Sequence, residues 1–260
     1  MRDYSLPMIA ESLFNALANK QAIPPLSETF PSLTVEDAYR IQKHLADLHQ
    51  VRGRRIIGQK IGLTSEGIQQ QLGVYEPDFG VIFTGSSFEN GSIIAASEMI
   101  APRIEAEIAF VLDKDLMGPG ITSGDVLAST KAVLPSFELI DSRIQDWKIK
   151  IVDTVADNGS HWGMVLGSAM ARPDRMELRN IGLVLEKDGK VIDTAAGAAV
   201  LGHPARSVAW LANKLSEWGE SLKAGQIILS GSFTKAFDLL PGHYKATFGE
   251  GLSSVEVHVK

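Results

Sequence analysis

Residues 103–110 read Arg-Ile-Glu-Ala-Glu-Ile-Ala-Phe, and this stretch decides the central part of the predicted fold. Apolar residues alternate with Glu105 and Glu107, which is the two-residue period of a β-strand. Side chains two residues apart on a strand share a face, so the two carboxylates point the same way with α-carbons about 7 Å apart. Two like charges on a mostly apolar strand repel each other and lose hydration, and a divalent cation would remove both penalties.

A third acid, Glu138, lies within another apolar, strand-like run over 133–140. Three carboxylates form an all-oxygen ligand set, which suits Mg²⁺ or Mn²⁺ and leaves room for water and an oxygen-rich substrate. Glu-x-Glu pairs are also common on half-exposed sheets, where both acids simply face water. The pattern by itself therefore leaves a metal site and a solvated strand face as alternatives.

Length and composition exclude several classes of protein. The 260 residues suffice for one large domain or two modest ones. The net charge of -6 and the lack of a Lys/Arg-rich run argue against a nucleic-acid partner. The absence of cysteine excludes disulfides and thiolate metal sites. No apolar run approaches the ~20 residues of a membrane span, and the N-terminus lacks a signal-peptide core, so we expect a cytoplasmic protein with no membrane contact.

The remaining pattern predicts an α+β fold. Apolar residues at helical spacing predict a helix over 6–17 and a second one that begins at Thr34 as N-cap. Segment 56–65 is typical of a strand broken by glycines, where backbone can closely approach a ligand. Ser65 is predicted to cap a short helix through Leu72. We therefore expect a helical N-terminal region over 1–75, followed by a mixed, largely antiparallel core over 76–260 in one compact unit.

Two helices are predicted in the second half of the chain, one from Thr122 to about Lys131 and one from Pro204. The predicted strands are a hairpin over 183–192 with an Asp-Gly turn, a buried strand over 227–229, and a closing antiparallel pair over 245–248 and 255–259. The run 141–148 is too polar to be predicted as core. Segment 155–160 is rich in short hydrogen-bonding side chains, which either satisfy a turn or hold a carboxylate.

Two further polar residues have alternative interpretations. Lys60, inside the strand over 56–65, either extends to the surface or is a half-buried amine whose charge serves a site. Asp78 lies in a turn-rich loop over 76–80, and its pattern favours a turn-capping aspartate.

Several motifs, taken together, resemble the 2-keto-4-pentenoate hydratase family. These are vinylpyruvate-type hydratases of aromatic meta-cleavage pathways, within the fumarylacetoacetate hydrolase superfamily. The resemblance covers nearly the whole chain. The motifs lie at 58–65, 76–80, 102–107, 114–120, 141–150 and 153–158. The 4-oxalocrotonate decarboxylases of the same pathways share most of them, and 197–204 looks at least as much like the decarboxylases.

The resemblance implies a mixed β-roll core that carries Mg²⁺ or Mn²⁺ on Glu105, Glu107 and Glu138. It also implies that Lys60 lies near the substrate and that Asp78 is an acid/base. The substrate-binding residues implied by the motifs are Leu63, Asn158, Ser160, Gly231 and Ser232. The family's usual Asp-Asn-Ala-Ser run reads Asp-Asn-Gly-Ser over 157–160, and the glycine gives the backbone around Ser160 extra freedom.

The activity implied by the resemblance is metal-dependent addition of water to a 2-hydroxy-2,4-dienoate, which gives a 4-hydroxy-2-oxo acid. One alternative is decarboxylation of 2-oxo-3-hexenedioate by the same ion and enolate. Another is a non-catalytic subunit that stabilises a pathway partner, although such a subunit has no need of Lys60, Asp78 and three glutamates. The resemblance further implies a higher homo-oligomer and a complex with another pathway enzyme.

Overall fold

The computed structural model describes residues 4–65, 67, 69–70 and 74–260. The N-terminal part is helical, with α1 (Leu6–Asn19), α2 (Leu26–Thr29) and α3 (Val35–Val51). The Thr34 hydroxyl accepts a hydrogen bond from the Asp37 amide at 3.1 Å, which confirms the predicted N-cap of α3. The helix predicted from Ser65 through Leu72 lies largely outside the described residues.

Most of the remaining chain forms strands. They are β1 (Ile56–Gly62), β2 (Asp78–Phe83), β3 (Ser87–Glu89), β4 (Ile93–Ile94), β5 (Pro102–Leu112), β6 (Thr130–Asp141), β7 (His161–Leu166), β8 (Gly182–Lys187), β9 (Lys190–Ala196), β10 (Ile227–Leu229), β11 (Phe237–Asp238), β12 (Gly242–Phe248) and β13 (Ser253–Val259). The α-helices whose bounds are described between these strands are α4 (Ser123–Ala128), α5 (Ile151–Ala156) and α6 (Pro204–Ser216).

The described strands form two sheets. The larger has eight strands in the order β2-β1-β10-β5-β6-β7-β3, with β11 pairing with β5 as well. The smaller has five, in the order β4-β13-β12-β8-β9. Pairs β1/β10, β3/β7 and β4/β13 are parallel and the others antiparallel. The predicted mixed, largely antiparallel α+β fold is confirmed.

The long pair β5/β6 forms the centre of the larger sheet. Apolar residues such as Ile104, Phe110 and Phe137 are fully buried there. The register places Glu105 directly opposite Glu138 and Glu107 opposite Ser136. Because directly opposed side chains share a face of an antiparallel pair, the three predicted acids converge on one side of the sheet.

The bounds of several elements follow from the residues at their ends. Asp188 and Gly189 both have positive φ, as a tight hairpin turn requires, and they join β8 to β9 as predicted. Helix α6 begins at Pro204 as predicted. Helix α4 ends at Ala128 rather than near Lys131, because β6 begins at Thr130 and continues the central pairing.

The predicted boundary near residue 75 falls within a continuous sheet. Strand β1 precedes that boundary, yet it pairs with β2 and β10. The division into two regions stays a prediction. Across the described residues, no helix combines the length and apolarity needed to span a bilayer.

Candidate metal centre and active site

Three glutamates lie together on β5 and β6. One carboxylate oxygen from each of Glu105, Glu107 and Glu138 lies within 4.8 Å of the others. Glu107 and Glu138 are fully buried, whereas Glu105 is half-buried beside a cavity. The structure thus brings the three predicted ligands into one cluster.

The cluster has the properties of a binding site for a cation. Among the described residues, Glu107 Oε1 and Glu138 Oε2 are buried without a hydrogen-bond partner. Burial, followed by the Glu138 charge, raises the pKa of Glu105 to about 7. The same two causes raise the pKa of Glu107 well above its usual value. Hard, unpartnered oxygens of like charge fit a divalent ion such as Mg²⁺ or Mn²⁺, which would remove this penalty.

Lys60 is a buried cation beside this cluster. Its Nζ donates a hydrogen bond to the Gly159 carbonyl at 3.0 Å and lies 3.5 Å from Glu138 Oε2. Only 4% of the residue is exposed, so Lys60 does not extend to the surface. Burial lowers the pKa of its ammonium, but Glu138, Asp78 and the other acids outweigh burial and raise the pKa above its usual value. Lys60 therefore carries its proton at neutral pH.

Asp78 begins β2 and is 1% exposed, so its interpretation as a turn-capping residue is wrong. Its Oδ2 accepts a hydrogen bond from Thr154 Oγ1 at 3.1 Å, whereas Oδ1 has no partner among the described residues. Burial raises the pKa of Asp78, and the nearby Lys60 charge only partly offsets this. A carboxyl with one fixed and one free oxygen suits proton exchange with a ligand.

Gly62 makes room for these two side chains. A β-carbon there would lie 2.2 Å from Asp78 Oδ1 and 3.0 Å from Lys60 Nζ. Backbone at Gly62 therefore comes close to Asp78 and Lys60, and Gly62 also lines the cavity described below. Close approach of this backbone to a ligand stays a prediction. Neighbouring Leu63 has φ 56°, which ends the strand before the predicted residue 65.

The segment 157–161 is held by a buried ion pair. The Arg143 guanidinium donates to the Asp157 carboxylate, and Ser160 Oγ donates to Asp157 Oδ2 at 3.1 Å. Because Arg143 is buried with its partner, the expectation that all of 141–148 lies outside the core is wrong. Asn158 and Ser160, in the segment attached by this pair, both have the left-handed φ of 56°, which is costly for residues other than glycine unless the surrounding structure fixes it.

A cavity of about 430 Å³ opens beside the cluster. Six of the residues predicted for the site line it, namely Lys60, Leu63, Asp78, Glu105, Ser160 and Ser232. Ser232 Oγ is buried without a partner among the described residues. The Gly231 N–H donates to Glu107 Oε2 at 2.8 Å, so it orients a predicted ligand instead of lining the cavity.

Asn158 is placed differently from the other predicted residues. Its amide nitrogen donates to the Val81 carbonyl at 2.9 Å, and its oxygen accepts from the Val81 N–H at 2.7 Å. Both ends of the amide are thus used to attach the 157–161 segment to β2. The structure gives Asn158 a role in positioning that segment, and it is not among the described residues that line the cavity.

Two residues of the site have no signal in the sequence pattern. His161 Nδ1 lies 2.8 Å from Glu138 Oε1 and is buried at the start of β7. Thr154 holds Asp78 from helix α5. Neither contact follows from spacing along the chain, because each joins elements distant in sequence. The only sequence feature that points to Thr154 as a site residue is its position within the 153–158 motif.

A largely buried carboxylate cluster with a lysine and an aspartate at the end of a cavity defines a metal-dependent enzyme centre. The chain belongs to the fumarylacetoacetate hydrolase family: the family profile described as Fumarylacetoacetate (FAA) hydrolase C-terminal matches residues 71–260. The predicted family fold is thereby confirmed.

Curated relatives span nearly the whole chain. A 2-hydroxyhexa-2,4-dienoate hydratase of Comamonas testosteroni is 43% identical over 95% of this chain and 94% of its own. A 2-hydroxypent-2,4-dienoate hydratase of Pseudomonas putida is 47% identical over 81% of this chain and 96% of its own. A solved 4-oxalocrotonate decarboxylase of Pseudomonas putida G7, complexed with magnesium and adipate, is 38% identical with a TM-score of 0.96 over 100% of both chains. The predicted resemblance to both groups of enzymes is confirmed.

Proposed function

We propose that this chain is a divalent-metal-dependent hydro-lyase that adds water to a 2-hydroxy-2,4-dienoate and forms a 4-hydroxy-2-oxo acid in aromatic meta-cleavage catabolism. The observation that carries the proposal is the convergence of Glu105, Glu107 and Glu138 with Lys60 and Asp78 at one end of the cavity. The names of several relatives at 43–47% identity support the reaction class.

Glu105, Glu107 and Glu138 would hold Mg²⁺ or Mn²⁺, since both ions accept carboxylate oxygens. When bound, the ion supplies a Lewis acid that stabilises negative charge on the carboxylate and 2-oxygen of the substrate. His161 and the Gly231 N–H fix one oxygen each of Glu138 and Glu107. This leaves Glu107 Oε1 and Glu138 Oε2, both without a hydrogen-bond partner among the described residues, to bind the ion.

The reaction has two stages, and protons are transferred in both. The dienol loses its 2-hydroxyl proton and gains one at the far end of the diene, which gives a conjugated 2-oxo-3-enoate. Water then adds its oxygen at C4 and a proton at C3. Asp78 Oδ1 is the free oxygen that would exchange these protons, while Thr154 holds Oδ2 in place.

Lys60 would hold positive charge next to the developing enolate. Its ammonium is fixed by the Gly159 carbonyl and Glu138, so this charge needs no reorganisation during the reaction. Ser160 and Ser232 both line the cavity. The Ser160 hydroxyl is used on Asp157, whereas the Ser232 hydroxyl has no partner among the described residues and would bind the substrate carboxylate. The surrounding apolar walls would keep bulk water from the reacting carbons.

A spectrophotometric assay tests the proposal. Freshly generated 2-hydroxypenta-2,4-dienoate and 2-hydroxyhepta-2,4-dienedioate are each mixed with protein and Mg²⁺, Mn²⁺ or EDTA. We expect metal-dependent loss of dienol absorbance with at least one substrate, and the 4-hydroxy-2-oxo product by mass spectrometry. No hydration of either substrate in the presence of metal would contradict the proposal.

A second candidate is decarboxylation of 2-oxohex-3-enedioate. It is favoured by the close fold match to the decarboxylase that binds magnesium and adipate. Release of CO₂ from this diacid, without hydration of the dienoates, would make the chain a decarboxylase. The absence of both hydration and CO₂ release would favour a non-catalytic subunit that stabilises a pathway partner.

Assembly and location are also part of the proposal. We infer a higher homo-oligomer, a complex with another pathway enzyme and a cytoplasmic location. Size-exclusion chromatography with light scattering tests the first of these, and a monomer would overturn it.

A further inference from the structure

Strand β5 connects the metal centre to a basic residue. Arg103, Glu105 and Glu107 alternate along the strand and so share a face, with each step about 7 Å. Arg103 and Glu105 both line the cavity. The cavity therefore extends from the glutamate cluster at its inner end towards Arg103 at its outer end.

A second segment runs alongside β5 in the opposite direction. The Ser230 N–H donates to the Ile108 carbonyl and the Phe233 N–H to the Ala106 carbonyl. Further on, Asp238 pairs with Arg103 in the β11/β5 register. The segment 230–238 thus starts at the metal end and finishes at the arginine end. Lys235 lies between Phe233 and β11, and it also lines the cavity.

Arg103 is held in place through its Nε, which leaves its other N–H groups able to donate hydrogen bonds. Its Nε donates to Asp238 Oδ1 at 3.2 Å, and its guanidinium carbon lies 4.3 Å from the centre of the Trp147 ring. The Trp147 Nε1–H in turn donates to the Ala101 carbonyl at 2.9 Å. Among the described residues, no protein acceptor is bonded to the two terminal nitrogens of Arg103. A guanidinium fixed in this way is prepared to bind a carboxylate.

Lys235 adds a second positive charge at this end. Its Nζ lies 5.1 Å from the centre of the Phe237 ring. No carboxylate in the described part of the chain lies within ion-pair distance of it. Asp238 is the one acid paired with Arg103, and its side chain is 76% exposed. The outer end of the cavity therefore keeps excess positive charge.

The walls between the two ends are apolar. The large apolar side chains that line the same cavity are Ile140, Ile149, Phe233 and Trp147. An unsaturated carbon chain matches such walls, and charged groups match the two ends.

We propose that the tail of the substrate ends in a second carboxylate, which binds Arg103 and Lys235, so that the substrate is a dicarboxylic 2-hydroxydienoate or 2-oxoenoate. This inference rests on the proposed function for the reacting end of the substrate. The outer end is argued from this chain's own cations, and it applies equally to hydration and decarboxylation.

Binding of two unreactive ligands tests the proposal without catalysis. 2-Oxoadipate and 2-oxohexanoate share the metal-chelating 2-oxo acid and differ in the distal carboxylate. Calorimetric titration into the Mg²⁺-loaded protein should show at least ~10-fold tighter binding of 2-oxoadipate, since hydrogen bonds between two charged groups are stronger than those between neutral groups.

Variants assign the preference to the two cations. Lys235→Gln and the double variant Arg103→Gln/Lys235→Gln should bring the ratio of the two affinities progressively towards one. Lys235→Arg, which keeps the charge, should retain most of the preference. Lys131→Gln is the matched control, because Lys131 is an exposed lysine away from the cavity. Thermal unfolding of each variant checks that it is folded.

The possible results separate this inference from the proposed function. Equal affinity of the unmodified protein for both ligands would overturn the inference and leave the proposed function intact. A preference that survives in the folded double variant would also overturn it. Failure of both ligands to bind the Mg²⁺-loaded protein would overturn the proposed metal and oxo-acid site itself, together with the inference.

Discussion

At the scale of single residues, the site combines charges that are costly to bury with partners that fix them. Glu107 has one oxygen bonded to the Gly231 N–H and another without a partner among the described residues. Lys60 and His161 are both directed at Glu138. Such an arrangement is stable in a folded protein when a cation completes it.

Glu107→Gln tests this arrangement directly. The substitution removes one anionic ligand while it keeps the size of the side chain, so metal affinity should fall. We expect kcat/KM to drop by at least ~1000-fold, since a bound metal contributes several kcal/mol of transition-state stabilisation. Metal content after dialysis, measured by plasma mass spectrometry, should drop in parallel.

The control for this experiment is Glu186→Gln on β8, in the other sheet. It should retain both metal and turnover. If Glu107→Gln kept full activity and full metal content, the metal assignment would be wrong.

Asp238→Asn tests the charge balance at the outer end of the cavity. The change removes the acid that pairs with Arg103, so more positive charge is left for the substrate tail. We expect the preference for 2-oxoadipate over 2-oxohexanoate to rise by about 2–5-fold, the size of an exposed ion-pair effect. A lower preference in the folded variant would contradict the assignment of Arg103 to the tail.

At the scale of elements, the site depends on close pairing of β1 and β2. Gly62 lies opposite Asp78 in that register, and the space above it is occupied by Asp78 and Lys60. Gly62→Ala should therefore displace both side chains. Overpacking of this kind costs about 1–3 kcal/mol of stability, and we expect a larger loss of kcat than of substrate affinity.

Gly182→Ala is the matched control, since a β-carbon there meets no atom within 4 Å. Urea unfolding and steady-state kinetics of both variants provide the measurements. Normal kcat and stability in Gly62→Ala would show that the Asp78–Lys60 arrangement tolerates displacement.

Sequence patterns predict some elements well for identifiable reasons. The acids on β5 follow from a two-residue period, and the start of α6 from a proline at a first-turn position. The position of Glu138 opposite Glu105 needs the strand register, which the pattern does not contain. Burial of Arg143, Asp78 and Lys60 depends on partners that lie far away in the chain. Their polarity alone suggests a surface position, and tertiary pairing overrides it.

At the scale of the whole molecule, the helical N-terminal region is attached to the sheet through a buried histidine. His49 of α3 lies with its ring centre 4.9 Å from that of Phe14 and 4.8 Å from that of Phe83. Burial, followed by the charges of Arg54 and other arginines, lowers the pKa of His49 to about 4. Protonation of this ring therefore opposes the folded state.

The sign of the pH dependence follows from this shift. Between pH ~6.5 and ~4, the unfolded chain binds a proton at His49 and the folded chain does not. The free energy of unfolding should therefore fall as the pH is lowered through this window, by about 2 kcal/mol at pH 5. Above pH ~6.5 His49 makes no contribution to the pH dependence.

His49→Phe isolates the effect, because it keeps an aromatic ring between Phe14 and Phe83. The pH dependence of Tm for the variant, compared with that of the unmodified protein, should lack this acid-side decrease. Parallel Tm curves from pH 7 to 5 would contradict the assignment. The comparison is needed because the raised pKa of buried acids such as Glu105 acts with the opposite sign.

The segment 230–238 has a consequence for how enzymes on this fold can diverge. One end is attached through Gly231 to Glu107, which we propose as a metal ligand, and the other lies beside Arg103 through Asp238. The length of this segment therefore sets the distance between the reacting end of the substrate and the cation that binds its tail. Inserting or deleting a residue would move Lys235 while the reacting end stays fixed. New tail specificities could arise by changes in this segment, but only those that spare its attachment to Glu107 would keep the chemistry.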